Sequence, residues 1–157
     1  MAQEIERKFL VKNTDFKKRA ISSTPIVQAY ISSHFERTVR VRIRGEKAFL
    51  TIKGKSNESG TSRFEWEKEI EIDDARELLK ICEGGIIDKI RHVVNYGDHN
   101  YEVDVFNGDN QGLIIAEIEL NSENEDFLKP SWLGEEVTGD KKYYNSELMK
   151  NPFLNWK

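Results

Sequence analysis

Glu4-Ile5-Glu6-Arg7-Lys8-Phe9-Leu10-Val11 alternates charge with bulk and reads as a β-strand. Successive side chains on a strand point to opposite faces. Glu4, Glu6 and Lys8 therefore share one face, Ile5, Phe9 and Val11 share the other, and Arg7 falls on the apolar side. The two carboxylates and the ammonium then lie within roughly 13 Å of one another. Carboxylates this close repel unless a cation lies between or opposite them. What that cation is becomes the question for the rest of the chain.

The same alternation recurs downstream. A strand is expected over 26–31. Over 37–44, Val39, Val41 and Ile43 alternate with Arg40, Arg42 and Arg44. Gly45-Glu46 makes a tight turn, and 48–53 returns as the hairpin partner carrying Thr51 and Lys53. Over 62–72, Arg63, Glu65 and Glu67 share a face opposite Phe64 and Trp66. Strands over 86–96, 100–106 and 113–120 carry Lys89/Arg91, Glu102/Asp104 and Glu117/Glu119. One short helix is expected over 13–20, capped by Thr14 and broken at Ser22-Ser23-Thr24-Pro25. A second, capped by Asp73-Asp74, places Ala75, Leu78, Leu79 and Cys82 at helical spacing and ends at Gly84-Gly85. From Glu123 the tail reads as short helices and loops packed by Trp132, Tyr143, Tyr144 and Trp156. Eight antiparallel strands suffice to close a barrel. The expectation is a mainly β (α+β) chain forming one domain over 1–157, a closed eight-stranded antiparallel β-tunnel with a few flanking helices.

Bulk properties narrow the function. Charged residues are 33% of the 157, above the usual quarter, yet the net charge is only -4. A protein that coats nucleic acid would be strongly basic, so no nucleic-acid partner is expected. A single cysteine, Cys82, excludes an internal disulfide and fits a reducing compartment. No apolar run approaches 18 residues, and no signal peptide is visible. No membrane association and a cytoplasmic location are expected. Gly54-Lys55-Ser56 resembles the end of a P-loop, but Phe49 stands where its first glycine belongs.

The charges are sorted by sign. Glu4/Glu6, Glu65/Glu67, Glu102/Asp104 and Glu117/Glu119 are acidic doublets, while Arg40/Arg42/Arg44, Lys53 and Lys89/Arg91 are basic. A solvated sheet face laced with cross-strand ion pairs is the plain account. Sorting into one-sign patches favours another, in which the charged faces turn inward. Clustered carboxylates without a His or Cys partner suit a hard divalent ion, Mg²⁺ or Mn²⁺. Clustered Arg and Lys suit phosphate oxygens.

Glu4-Ile5-Glu6-Arg7-Lys8 resembles the opening signature of the CYTH superfamily, the triphosphate tunnel metalloenzymes. The resemblance continues in order through Arg40-Val41-Arg42, Lys53-Gly54, Arg63-Phe64-Glu65-Trp66-Glu67, Lys89-Ile90-Arg91, Glu102-Val103-Asp104 and Glu117-Ile118-Glu119. It implies an eight-stranded β-tunnel. It implies that Lys8, Arg40, Arg42, Lys53, Lys89 and Arg91 hold a triphosphate. It also implies that Glu4, Glu6, Glu65, Glu67, Asp104, Glu117 and Glu119 supply ligands for Mg²⁺ or Mn²⁺, with Glu4, Glu6 and Glu119 first. Tyr30 matches a tyrosine that pairs, in some bacterial members, with the lysine at Lys89, which gives the two a catalytic role. The opening is most similar to short bacterial inorganic triphosphatases, implying hydrolysis of tripolyphosphate to diphosphate and phosphate. Class IV adenylate cyclase, nucleoside triphosphatase or thiamine triphosphatase activity remains open within the family, and a non-catalytic polyphosphate-binding module outside it. The substrate would be a small-molecule triphosphate. The outward apolar faces need covering by helices or by a second copy, so a homodimer is also open.

Overall fold

The computed structural model describes residues 3–156. Its core is the ring foreseen from the alternation. β1 (Gln3–Val11), β2 (Ala20–Ser32), β3 (Arg37–Arg44), β4 (Lys47–Gly54), β5 (Ser62–Ile70), β6 (Glu83–Tyr96), β7 (His99–Phe106) and β8 (Ile114–Glu119) hydrogen-bond in the order β5-β4-β3-β2-β6-β7-β8-β1. β1 then returns to β5 and closes the barrel. Every pairing is antiparallel.

Register decides what meets inside. Glu6 lies opposite Glu119 and Lys8 opposite Glu117 across β1–β8. Arg40 lies opposite Tyr30 on β2 and Thr51 on β4, and Lys53 lies opposite Glu65. Arg91 lies opposite Asp104. Because the side-chain period is two, these registers turn the sorted charges to one face together. That face is the barrel interior: Lys8, Arg40, Arg42, Lys53, Lys89 and Arg91 are all buried. A solvated-face account of the charges is excluded.

The outer face is apolar and covered in two places. α1 (Ile72–Leu79) seats Ala75 against Val41 and Ala48 of the β3–β4 hairpin. On the far side, Phe16 and Trp132 pack over Val94, Tyr101, Val103 and Ile118. Phe64 and Trp66 on β5 stay 43% exposed.

Several sequence expectations change. The helix foreseen over 13–20 is a single 3₁₀ turn, Asp15–Arg19, pinned by the buried Phe16. One apolar residue does not give a helix a face to bury. β2 begins at Ala20 and runs through Pro25. Pro25 accepts a backbone bond from Gly45, the turn residue just past the end of β3. Its missing N–H therefore faces no strand partner on that side. α1 is entered from Glu71, with no side-chain cap, and Asp73 and Asp74 lie in its first turn, where the helix dipole favours acid. Gly84 and Gly85 belong to β6 rather than to a helix terminus. The tail contributes a ninth strand, β9 (Leu133–Glu136), and a short helix, α2 (Asn145–Leu148).

β9 solves an edge problem. Among the described residues β1 pairs with β5 only through Gln3–Ile5 and with β9 only through Phe9–Val11. Between them, Glu6 N–H donates to the Thr61 carbonyl (2.9 Å) and Lys8 N–H to Thr138 Oγ1 (2.9 Å). Val137 N–H donates back to the Lys8 carbonyl (2.8 Å). This stretch of β1 thus has its backbone groups satisfied by two loops rather than one strand. Those loops touch at Gly60 and Gly139, with φ of 76° and 80°. A Cβ on Gly60 would overlap the Gly139 backbone. Gly60→Ala is expected to destabilise by more than about 1 kcal/mol. Thermal unfolding should show a fall of several degrees; an unchanged melting temperature would disprove the close-approach argument.

The C-terminal residues stopper one end. Leu148 and Met149 pack among Tyr30, Ile87, Phe106, Leu113 and Ile115, several of which point inward. The expected tunnel is therefore a chamber filled with apolar side chains at one end.

Candidate active site

The chamber has a volume of about 190 Å³ and walls that are mostly charged. One wall is basic: Arg40, Arg42 and Arg44 from β3, Lys53 from β4 and Arg91 from β6. The facing wall is acidic: Glu4 and Glu6 from β1, Glu117 and Glu119 from β8, and Glu102 from β7. Glu65, Glu67 and Arg63 on β5 close the ring between them. Lys8 and Tyr30 also reach the chamber. Twelve of the fourteen residues singled out by resemblance thus line one cavity.

Lys89 and Asp104 lie beneath the wall instead. Asp104 accepts two bonds from Arg91 (2.7 and 2.8 Å) and sits 2.7 Å from Lys89 Nζ. Its oxygens are already spoken for, so a ligand role would require breaking a fully buried ion pair. Lys89 is 0% exposed and donates to Asn145 Oδ1 at 3.0 Å. The expected Tyr30–Lys89 hydrogen bond is absent among the described residues.

The acidic wall holds more negative charge than it can keep. Burial, then Glu117 and Glu4, push Glu6 up to about 8. Burial also raises Glu117, but Lys8 and Arg91, with a hydrogen bond from Glu6, bring it well below the carboxylate range. Of the two, Glu6 is therefore the carboxyl that favours its protonated form. Burial raises Glu4, and its 2.7 Å ion pair with Lys53 brings it back below its usual value. Burial, Glu4 and Glu102 hold Glu119 above normal, and burial and Glu4 raise Glu65.

The basic wall is the mirror case. Burial, then Arg40 and Arg91, pull Arg42 down to about 9. Arg42 donates Nε to Gln28 Oε1 (2.7 Å) and has no carboxylate partner among the described residues. Arg40 meets Thr51 (3.2 Å) and Glu67 (3.6 Å), but its buried Nε has no acceptor. Lys89, lowered to about 7 by burial with help from Arg91 and Arg42, belongs to the same crowd. Arg91, by contrast, is held firmly: burial lowers it, and the Asp104 pair and Glu102 raise it well above normal.

An anion and a cation would relieve both walls. The orphaned Arg40 Nε and the carboxylate-free Arg42 are donors suited to phosphate oxygens. A divalent cation would relieve the crowding of Glu6 by Glu117 and Glu4, and the all-oxygen donor set would suit Mg²⁺ or Mn²⁺. Among the described residues no three carboxylates already converge as a finished metal site. Lys53 and Lys8 hold Glu4 and Glu117 apart from that role.

Some site residues were missed in the sequence. Arg63 lies 3.7 Å from Glu4, and Arg44 lines the basic wall. Both shared a face with chosen residues, so parity alone would have found them. Tyr144, Asn145 and Ser146 also line the chamber. They follow a loop with no charge alternation, and nothing in their spacing marked them. Lys8 and Arg63 face the Tyr144 ring at 5.0 and 5.7 Å.

A closed barrel with one cationic and one anionic wall is a receptacle for a polyanion together with a cation. The chain belongs to the CYTH domain family, whose profile matches residues 2–150. It is 46% identical over 158 aligned positions to an inorganic triphosphatase of Acetivibrio thermocellus, covering 100% of this chain and 99% of the relative. It is 36% identical to an inorganic triphosphatase of Nitrosomonas europaea, covering 92% and 95%. The crystal structure of the inorganic triphosphatase NE1496 superposes with a TM-score of 0.68 at 33% identity, covering 95% of each chain.

Proposed function

We propose that this protein hydrolyses inorganic tripolyphosphate to diphosphate and phosphate, using Mg²⁺ or Mn²⁺. The observation that carries the reading is the pair of mismatched walls: Arg42 and Arg40 Nε lack anionic partners in the same chamber where burial and neighbouring carboxylates raise Glu6. The names of the 46% and 36% identical relatives support it.

Arg40, Arg42, Arg44, Lys53 and Lys8 bind and orient the phosphate chain, and their charges are worth most in a water-poor site. Lys53 and Lys8 exchange Glu4 and Glu117 for phosphate, which frees those carboxylates. Glu4, Glu6, Glu117 and Glu119 would hold the metal, with Glu65 and Glu67 as outer, water-bridged partners. When bound, the metal would neutralise phosphate charge and acidify a water. A water oxygen bonds to a terminal phosphorus as the bridging P–O bond breaks, and charge passes to the departing diphosphate. Tyr30, which lines the chamber, would give that oxygen a proton, and the protons of the attacking water pass to the phosphate product and, in turn, back to Tyr30. Asp104 and Lys89 act from beneath, as a scaffold for Arg91.

The lining argues against larger substrates. Its only rings are Tyr30 and Tyr144, and Trp66 lies outside the barrel. Neither a purine nor a thiamine ring has a stacking slot. No helix among the described residues is long and apolar enough to cross a membrane. A cytoplasmic location remains our reading from the lone Cys82, and a homodimer our reading from Phe64 and Trp66.

Purified protein should release phosphate from tripolyphosphate with Mg²⁺ or Mn²⁺, more slowly from ATP and thiamine triphosphate, and not at all with EDTA. Binding of tripolyphosphate without turnover under any of these conditions would make it a binding module instead.

A further inference from the structure

The C-terminal segment does more than stopper the barrel. Every cation on the chamber wall comes from a strand. Tyr144, Asn145 and Ser146 come from the connection into α2, yet they line the same cavity. Asn145 is the one among them tied to the charged network, through Lys89.

Lys89 cannot reach the chamber directly. It is fully buried, does not line the cavity, and meets Asp104 Oδ2 at 2.7 Å, Asn145 Oδ1 at 3.0 Å and the Phe106 ring at 5.4 Å. An ammonium carries donors and no acceptor, so a carboxamide beside it must present its oxygen. That fixes the amide: Oδ1 faces Lys89 and the Nδ2 hydrogens face away. No acceptor among the described residues takes them, and Asn145 borders the chamber.

The backbone holds this orientation. Leu148 N–H bonds the Tyr144 carbonyl (2.9 Å), Met149 N–H bonds Asn145 (3.2 Å), and Gly85 of β6 bonds Met149 (3.2 Å). Leu148 is 0% exposed. A donor fixed on a packed element is pre-organised for its acceptor.

We propose that Asn145 is a further substrate-binding residue, donating Nδ2–H to a triphosphate oxygen, with Lys89 as the positioning residue that sets and polarises its amide. This rests on the triphosphate reading of the chamber. A neutral donor suits this corner. Arg42 and Arg91 already crowd Lys89, and another cation would add repulsion that an amide does not. The polarised amide passes part of the Lys89 charge to the substrate while the ammonium stays paired with Asp104.

Asn145→Asp separates binding from scaffolding. It keeps an oxygen for Lys89 but replaces the donor with an anion facing phosphate. The full chain should fold and melt at or above wild type. Its affinity for tripolyphosphate, by titration calorimetry in EDTA, should fall at least tenfold, and KM with Mg²⁺ or Mn²⁺ should rise in parallel. The new carboxylate would repel phosphate even if Asn145 only anchored Lys89, so a fall is read together with the uncharged Asn145→Ala variant; Asn145→Asp affinity within twofold of wild type overturns the proposal. Asn145→Ala removes the donor without adding charge: a loss of threefold or more supports the role, and unchanged affinity overturns it. Wild type that binds tripolyphosphate without hydrolysing it would end the hydrolase reading and leave this comparison standing.

Discussion

Glu6→Gln is expected to reduce turnover of tripolyphosphate by about 10²–10³ or more while making the metal-free protein more stable in mild alkali. Both effects have one cause. Burial and two neighbouring carboxylates raise Glu6 from 4.5 to about 8 in the folded chain. Between those values the folded state keeps a proton that the unfolded state has lost. Stability therefore falls as pH rises through that window. The contribution is fully present below 4.5 and is lost as the pH passes 8. Glutamine holds the hydrogen bond to Glu117 at every pH, so this slope disappears. The melting temperature of Glu6→Gln should exceed wild type clearly at pH 8.5 and much less at pH 5. Mg²⁺ or Mn²⁺ should raise the wild-type value by binding the folded state and displace the proton; the variant should respond weakly. Equal melting curves at both pH values would remove Glu6 as the strained member of the pair.

That coupling of strain and function explains what the sequence could show. Strand parity carried most of the site, because a period of two leaves no freedom once one residue's face is known. Glu4, Glu6 and Lys8 could be placed together from eight residues, and Arg63 and Arg44 were legible by the same rule. Inward or outward was not. An alternating strand fits a solvated sheet and a charged barrel equally well; ring closure through β1–β5 decides between them, and that contact joins residues about 60 apart. Depth was hidden too. Asp104 and Lys89 share parity with the wall residues, but their mutual 2.7 Å contact takes them out of the chamber. The C-terminal half of the site had no periodic signal. Tyr144, Asn145 and Ser146 are positioned by packing of Leu148 and Met149, a long-range event that local spacing does not encode.

The two central arginines should therefore fail in opposite ways. Arg42→Met is expected to cut kcat/KM for tripolyphosphate by about 10²–10³ with a small change in melting temperature. Arg42 has no carboxylate to strand, and Arg40 and Arg91 repel it. Losing that repulsion offsets the Gln28 Oε1 acceptor left without its 2.7 Å bond, a loss of about 1–3 kcal/mol. Arg91→Met removes the bidentate partner of a buried carboxylate. Asp104 keeps only Lys89, and Glu102 loses its 3.4 Å contact. Breaking one side of a buried pair costs about 3–5 kcal/mol, enough to lower the melting temperature by roughly 10 °C in a chain of this size. Asp104→Leu in the same background should recover part of that loss, because it withdraws the stranded charge, and should recover no activity. If Arg42→Met proved the more destabilising of the two, the division of the basic wall into a substrate cation and a scaffold cation would be wrong.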